Sequence, residues 1–199
     1  MGKRIIFATG NAHKMVEIKS ILEDLNIPVY SMKEAGIDID IVEDGKTFEE
    51  NALIKARAIA DVLPDDIILA DDSGLEIDYL DKAPGIYSAR FMGEDTPYIE
   101  KNTKILEKLE GVEDKDRTAR FVCTIAAVFP EGREEVVRGT IEGIIGHEIE
   151  GENGFGYDPI FYVPEMGCTT ATMSPEKKNE LSHRGKALRK MKAIIKEEI

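Results

Sequence analysis

The chain has 199 residues, 42% of them apolar and 33% charged, which suits one large domain or two small lobes around a substantial core. Its net charge of −13 repels a polyanion, which excludes a nucleic-acid polymer as partner; a small anionic ligand would need a local group of Lys and Arg, a divalent metal, or both. No stretch approaches the roughly 18 consecutive apolar residues of a membrane span, so no membrane partner is expected, and two cysteines without a CxxC, Cys123 and Cys168, point to a reducing, cytoplasmic compartment and away from zinc.

The N-terminal MGKRIIFATG has two basic residues and a short apolar run, without a signal-peptide core or cleavage site, so residues 4–8 read as a first strand. Thr9-Gly10-Asn11 is a turn. Ile18, Ile21, Leu22 and Leu25 fall at i, i+3, i+4 and i+7, one face of a helix, which Pro28 ends before a short strand near Val29. Residues 36–45 are acidic and irregular. Thr47-Phe48-Glu49-Glu50 is a capping box, and Ala52, Ala56, Ile59, Ala60 and Leu63 continue as a helical stripe to Pro64. Residues 67–70, Ile-Ile-Leu-Ala, read as a buried strand ending on the polar ADDSG.

Ala83-Pro84-Gly85 is a turn. Thr96-Pro97 predicts a helix with Pro at its first position, running to Leu109 and stopped by Gly111. Residues 120–129 and 134–145 are long strands joined by Pro130-Glu131-Gly132. Gly139, Gly143 and Gly146 suggest that the second of them bends or bulges. Residues 151–158 form a glycine-rich loop and 160–163 a short strand. Ser174-Pro175 opens a helix to Ile199, broken at Gly185. This order predicts an α/β fold with a mixed sheet and a ligand site beyond strand ends.

Four stretches carry candidate chemistry, each with a plainer reading beside it. FATGNAHK offers backbone N–H groups at a turn, a helix start and the charge of Lys14, an anion site; an ordinary strand–helix connection uses the same glycine. ADDSG offers two carboxylates for a hard cation or for activating water, with Glu43 of the acidic loop able to join them; Asp and Ser also favour turns. GENGFGYD lacks the context of a dinucleotide fingerprint, but its aromatics could stack on a base or serve a core. EKKNELSHRG places Lys178 and Ser182 on one helical face with His183 and Arg184 following; such runs are commonly solvated.

In order along the chain, TGN-x-x-K, GKTFEENA, ADDSG, PGIYSAR, FGYD and K-x-x-x-SHR closely resemble the motifs of the inosine triphosphatase or Ham1-like family, pyrophosphatases of non-standard purine nucleoside triphosphates, over residues 7 to 188. The resemblance implies one such domain over residues 1–199, an elongated two-lobed α/β fold with a long mixed β-sheet flanked by helices and a central cleft, and a homodimer. It implies Mg²⁺-dependent hydrolysis of ITP, dITP and XTP to the monophosphate and pyrophosphate, cleansing the nucleotide pool; only the resemblance points to attack on the α-phosphorus. Residue by residue, it implies Asp72 as the catalytic acid, with Ser73 contacting substrate. Thr9, Gly10, Asn11, Ala12, His13 and Lys14 would bind phosphate, and Lys55 would face it. Glu43 and Asp72 would hold the metal, Asp44 being the alternative acid of that loop. Phe155, Gly156, Tyr157, Asp158, Lys178, His183 and Arg184 would line the base pocket, His183 and Arg184 as donors to a 6-keto oxygen. Lys177 departs from the pattern, standing where family members often carry an acid. Two rival readings are a Maf-like nucleotide pyrophosphatase of different base preference and a non-catalytic nucleotide sensor on the same scaffold.

Overall fold

Successive side chains of a strand point to opposite faces, and Ile5-Ile6-Phe7 has no polar residue to give to solvent. A strand of that sequence needs cover on both sides. The computed structural model, which describes residues 4–198, supplies it; the expected last helical residue, Ile199, and residues 1–3 of the N-terminal reading lie outside the described residues. Strand β1 (Ile5–Phe7) pairs in parallel with β2 (Val29–Ser31) and with β3 (Ile67–Ile77). Ile5, Phe7, Ile67 and Leu69 form one apolar layer with Met15, Ile18 and Leu22 of α1 (Ala12–Leu22) and Ala187, Leu188 and Met191 of α5 (His183–Glu198). Ile6, Ala8, Ile68 and Ala70 form the other, against Ala52, Ala56 and Ile59 of α2 (Phe48–Ala60). Each fully buried Ile, Leu or Phe contributes roughly 1.5–3 kcal/mol. Thr47 caps α2 by accepting from the Glu50 N–H, as its capping box predicts, while Glu50 reaches back one residue further, to the Lys46 N–H.

Among the described residues seven strands join in one mixed sheet, in the order β2-β1-β3-β4-β5-β6-β7, with β4 at Thr118–Val128, β5 at Glu134–Ile145, β6 at Phe161–Val163 and β7 at Cys168–Thr169. β6 runs antiparallel to β5 and β7. The chain divides into two compact units: unit 1 is Met1–Asp72, Cys123–Gly139 and Arg184–Ile199, and unit 2 is Ser73–Val122 and Thr140–His183. The core of unit 2 gathers Leu75, Ile77, Phe121, Ile141 and Phe161 with Ile105 of α3 (Tyr98–Lys108). Arg117 is buried there and donates to the carbonyls of Leu109, Ile145 and Gly146, so its charge serves backbone acceptors at the end of α3 and of β5.

Three expectations are corrected. The strand after Pro64 does not end at Ala70 but continues through ADDSG to Ile77, because both aspartates find partners inside the fold, described below. The C-terminal helix breaks at Ser182, not Gly185: the Ser182 N–H closes α4 (Pro175–Leu181) onto the Lys178 carbonyl, and its extended ψ of 156° turns the chain before α5. Pro97 is the cap of α3 rather than its first residue. Strand β5 is continuous through Gly139 and Gly143 and stops before Gly146. At Gly143 the requirement is space: an added Cβ would sit 2.5 Å from the Tyr162 carbonyl oxygen and 2.8 Å from the Phe161 ring. Gly143→Ala should therefore cost about 1–3 kcal/mol, the usual penalty for overpacking, measurable as a lowered midpoint in urea; an unchanged midpoint would show that β6 yields freely.

Candidate functional site

The pleat of β3 sorts the two acids of ADDSG. Asp71 shares parity with Ile67 and Leu69, and meets α1 and α5. Its Oδ2 and Oδ1 accept from Lys14 Nζ at 2.9 and 3.1 Å, and Arg184 Nε lies 3.8 Å from Oδ2. Asp71 is only 1% exposed. Burial by itself would push its carboxyl up, but the charges of Lys14, Arg184 and Lys55 and the Lys14 hydrogen bond hold it well below the usual carboxylate range. Arg184, itself buried, also donates to Glu17; burial would lower its pKa, and the acids Asp71 and Glu17 raise it instead.

Asp72 shares parity with Ile68 and Ala70 and meets α2. Asn51 Nδ2 donates to its Oδ2 at 3.2 Å, and Lys55 Nζ lies 3.9 Å from its Oδ1 and 2.9 Å from Glu43 Oε2. Here burial wins: the Asp72 carboxyl is pushed up to about 6, against the pull of Lys55 and Asn51 and with the help of the negative charges of Glu43 and Asp71. Burial would lower the Lys55 pKa, but Asp71, Asp72 and Glu43 raise it, so Lys55 stays an ammonium. Asn51 and Lys55 are i and i+4 on α2 and share a face. Glu43 is half-buried and Asp44 exposed, which distinguishes the two acids of the loop. Two carboxylates thus converge on one ammonium; among the described residues no group of three or more His, Cys, Asp or Glu is placed to hold a metal ion.

The TGN-x-x-K stretch lies in the same unit. Thr9 is buried and its Oγ1 accepts from the Asn11 N–H; Asn11 caps α1, accepting from the N–H groups of His13 and Lys14. Gly10, Asn11, Ala12 and His13 are exposed at that helix start, where the dipole favours an anion.

In unit 2, the FGYD loop is pinned by its own residues. Asp158, 3% exposed, accepts from the Phe155 N–H and Lys178 Nζ, both at 2.8 Å on Oδ2, and from Thr170 Oγ1 at 2.8 Å on Oδ1. Lys178 Nζ lies 4.8 Å from the centre of the half-buried Phe155 ring. Tyr157 donates to the Ser88 carbonyl at 2.6 Å and meets Tyr98 edge-on, while Asn102 donates to the Gly156 carbonyl. His183 stacks on Phe121 with ring centres 4.8 Å apart. Ser73, next along β3, falls in unit 2 and is half-buried.

The structure thus brings Lys14, Glu43, Lys55, Asp72 and Arg184 into unit 1, and Phe155, Tyr157, Asp158, Lys178 and His183 into unit 2. Arg184, expected beside the base, is engaged with Glu17 and lies near Asp71. Sequence reasoning missed Asn51, Glu17, Ser88, Asn102 and Thr170. Only Asn51 had a usable signal, its position one helical turn before Lys55 within GKTFEENA.

Comparison with known proteins follows the same lines. A sequence model of the Ham1 family matches residues 5–194. A dITP/XTP pyrophosphatase of Clostridium perfringens is 51% identical, covering 98% of each chain, and one of Caldanaerobacter subterraneus is 50% identical, covering 96% of each. The solved structure of a HAM1 protein from Coxiella burnetii superimposes with a TM-score of 0.89 at 42% identity, covering 98% of this chain and 100% of that one. The Ham1 protein of Staphylococcus aureus gives 0.88 at 42% identity, covering 99% and 100%. With the family model, near-full-length identity and structural superposition in agreement, the chain belongs to the Ham1 family.

Proposed function

We propose that this chain hydrolyses dITP, ITP and XTP to the nucleoside monophosphate and pyrophosphate, with Asp72 as its catalytic carboxylate and Mg²⁺ as its cofactor. The relatives at 51% and 50% identity carry the name dITP/XTP pyrophosphatase. The observation that carries the reading is Asp72: a buried carboxylate pushed up to about 6, beside Lys55 and Glu43, while its neighbour Asp71 is fully engaged on the opposite face.

The donor set fits Mg²⁺. Glu43 Oε2 and Asp72 Oδ1 lie 2.9 and 3.9 Å from Lys55 Nζ, so two carboxylates are available near one another, and Mg²⁺ in nucleotide sites takes one or two carboxylates plus substrate phosphates. When bound it would polarise phosphate oxygens and offset their charge. The chain's own residues account for the remaining work. Cleaving the anhydride adds the hydroxyl of a water to phosphorus, releases one proton and expels pyrophosphate. Without metal the Asp72 carboxyl is pushed up to about 6 by burial; its ionised form can orient the attacking water or accept its proton. Lys55 and Lys14 counter the phosphate charge in a protein of net charge −13, and the exposed start of α1 adds N–H groups. The Phe155 ring, with Lys178 behind it, is the surface for a purine. In this reading Arg184 acts through Asp71 instead of on the base.

The reading includes a cytoplasmic homodimer. Tyr79, Tyr87, Met92 and Ile99 of unit 2 are exposed apolar side chains that a second copy would cover.

The direct test is purified protein with Mg²⁺ and dITP, XTP or dATP, reading pyrophosphate release. dITP and XTP carry a 6-keto oxygen where dATP carries an amine, and a site built for one hydrogen-bond pattern rejects the other by about 10⁴-fold or more in kcat/KM. Comparable turnover of dATP would overturn the base assignment, and no turnover of dITP the function.

The two aspartates should respond oppositely. Asp72→Asn should lower kcat about 10²- to 10⁴-fold. It should not lower stability, because the raised Asp72 pKa means that the ionised form opposes folding. In metal-free buffer the variant's Tm should match wild type below pH 3.8, where Asp72 is protonated folded and unfolded. It should exceed wild type increasingly as pH rises to about 6. Asp71→Asn removes the carboxylate that Lys14 pairs with and leaves Arg184 to Glu17 alone, and should cost about 3–5 kcal/mol in chemical denaturation. A stable Asp71→Asn variant with lost turnover would transfer the catalytic role to Asp71.

A further inference from the structure

Asn51 is completely buried, and its amide is held at both ends. Oδ1 accepts from the Gly45 N–H at 2.9 Å, and Nδ2 donates to Asp72 Oδ2 at 3.2 Å. The partners fix which way the amide points, since the Gly45 N–H can only donate and the ionised carboxylate only accepts. Gly45 closes the acidic loop two residues after Glu43. It has no room for a side chain: an added Cβ would lie 2.6 Å from Asn51 Oδ1 and 2.8 Å from Glu50 Cβ. The next amide, Lys46 N–H, is held by Glu50 Oε2 at 2.6 Å. One turn along α2, Lys55 holds Glu43 itself. A single buried amide thus connects the loop that carries one acid to the strand that carries the other.

We infer that Asn51 is a positioning residue: by tying the Gly45 backbone to Asp72 it sets the spacing of the Glu43 and Asp72 carboxylates, and position 45 is glycine so that the tie can close. The inference rests on the proposed roles of Glu43 and Asp72. It differs from mere filling of the core in one respect. A core role is indifferent to which end of the amide is a donor, whereas the tie needs an acceptor toward Gly45 and a donor toward Asp72.

Three variants test it: Asn51→Ala, Asn51→Asp and Gly45→Ala. Asn51→Ala should lower kcat for dITP about 10- to 100-fold and weaken Mg²⁺ binding, titrated calorimetrically, by a similar factor, the range for partners that orient metal-binding side chains. KM should stay near wild type, the sign of lost transition-state placement. Hydrogen exchange at the Gly45 amide, measured without metal or nucleotide, should accelerate. Asn51→Asp keeps the oxygen toward Gly45 but turns a second oxygen on Asp72; it should retain slow Gly45 exchange and still lose kcat. If Asn51→Ala does not fold, this isostere decides. Gly45→Ala should lower kcat as well, and adding it to Asn51→Ala should cause less loss than it does in the wild type, because both break one interaction while the contact with Glu50 Cβ remains. Wild-type kcat in Asn51→Asp, unchanged Gly45 exchange in Asn51→Ala, or fully additive losses would overturn the inference. Absence of dITP hydrolysis by the wild type would sink the function instead; Mg²⁺ affinity and Gly45 exchange then still judge the tie, and unchanged values of both in Asn51→Ala would overturn it.

Discussion

Two neighbouring acids on one strand cannot share a face, and the organisation of unit 1 depends on that constraint. The pleat of β3 sends Asp71 toward α1 and α5 and Asp72 toward α2. Each burial would be costly without partners, so each face must bring its own cations or donors. Lys14 and Arg184 meet Asp71; Asn51 and Lys55 meet Asp72. The helices therefore do two jobs with one packing arrangement. Met15 and Ile18 of α1 and Ala52 and Ala56 of α2 seal the sheet, while residues in adjoining turns reach the carboxylates.

The balance of terms on the two faces differs, and chemistry follows from the difference. Three cations outweigh burial at Asp71, which stays an anion in a closed network. At Asp72 burial outweighs one more distant ammonium and one neutral amide, and two nearby acids oppose ionisation as well. The first arrangement suits a fixed counter-charge for Lys14. The second leaves a carboxylate whose anion is under-compensated, the condition in which a cation or a proton is readily taken up.

Unit 2 shows a different economy. The oxygens of Asp158 are filled by the Phe155 N–H, Lys178 and Thr170, so that acid organises its loop. Tyr157 and Gly156 are held by Ser88 and by Asn102. A loop pinned by its own polar groups has little freedom left to lose, which is the condition called preorganisation.

Much of this was legible in the residues themselves. The helical spacing of Ile18, Ile21 and Leu22, the capping box at Thr47 and the turn at Pro130-Glu131-Gly132 depend on neighbours within a few positions, and the structure carries all three. The order of six motifs is likewise a linear property and sufficed for the family. The course of β3 was not legible. Nothing local says that a strand can continue through Asp71 and Asp72, because what permits it is the arrival of Lys14, Lys55 and Arg184 from elsewhere in the chain. For the same reason the neighbours of Arg184 were not legible: after the helix break at Ser182 it pairs with Glu17 and lies near Asp71. Residue order by itself determined which elements form and which chemistry is present; only the tertiary structure decided which aspartate is neutralised and which is left under-compensated, because the field at a buried carboxylate is set by charges brought close in space, not by those adjacent in sequence.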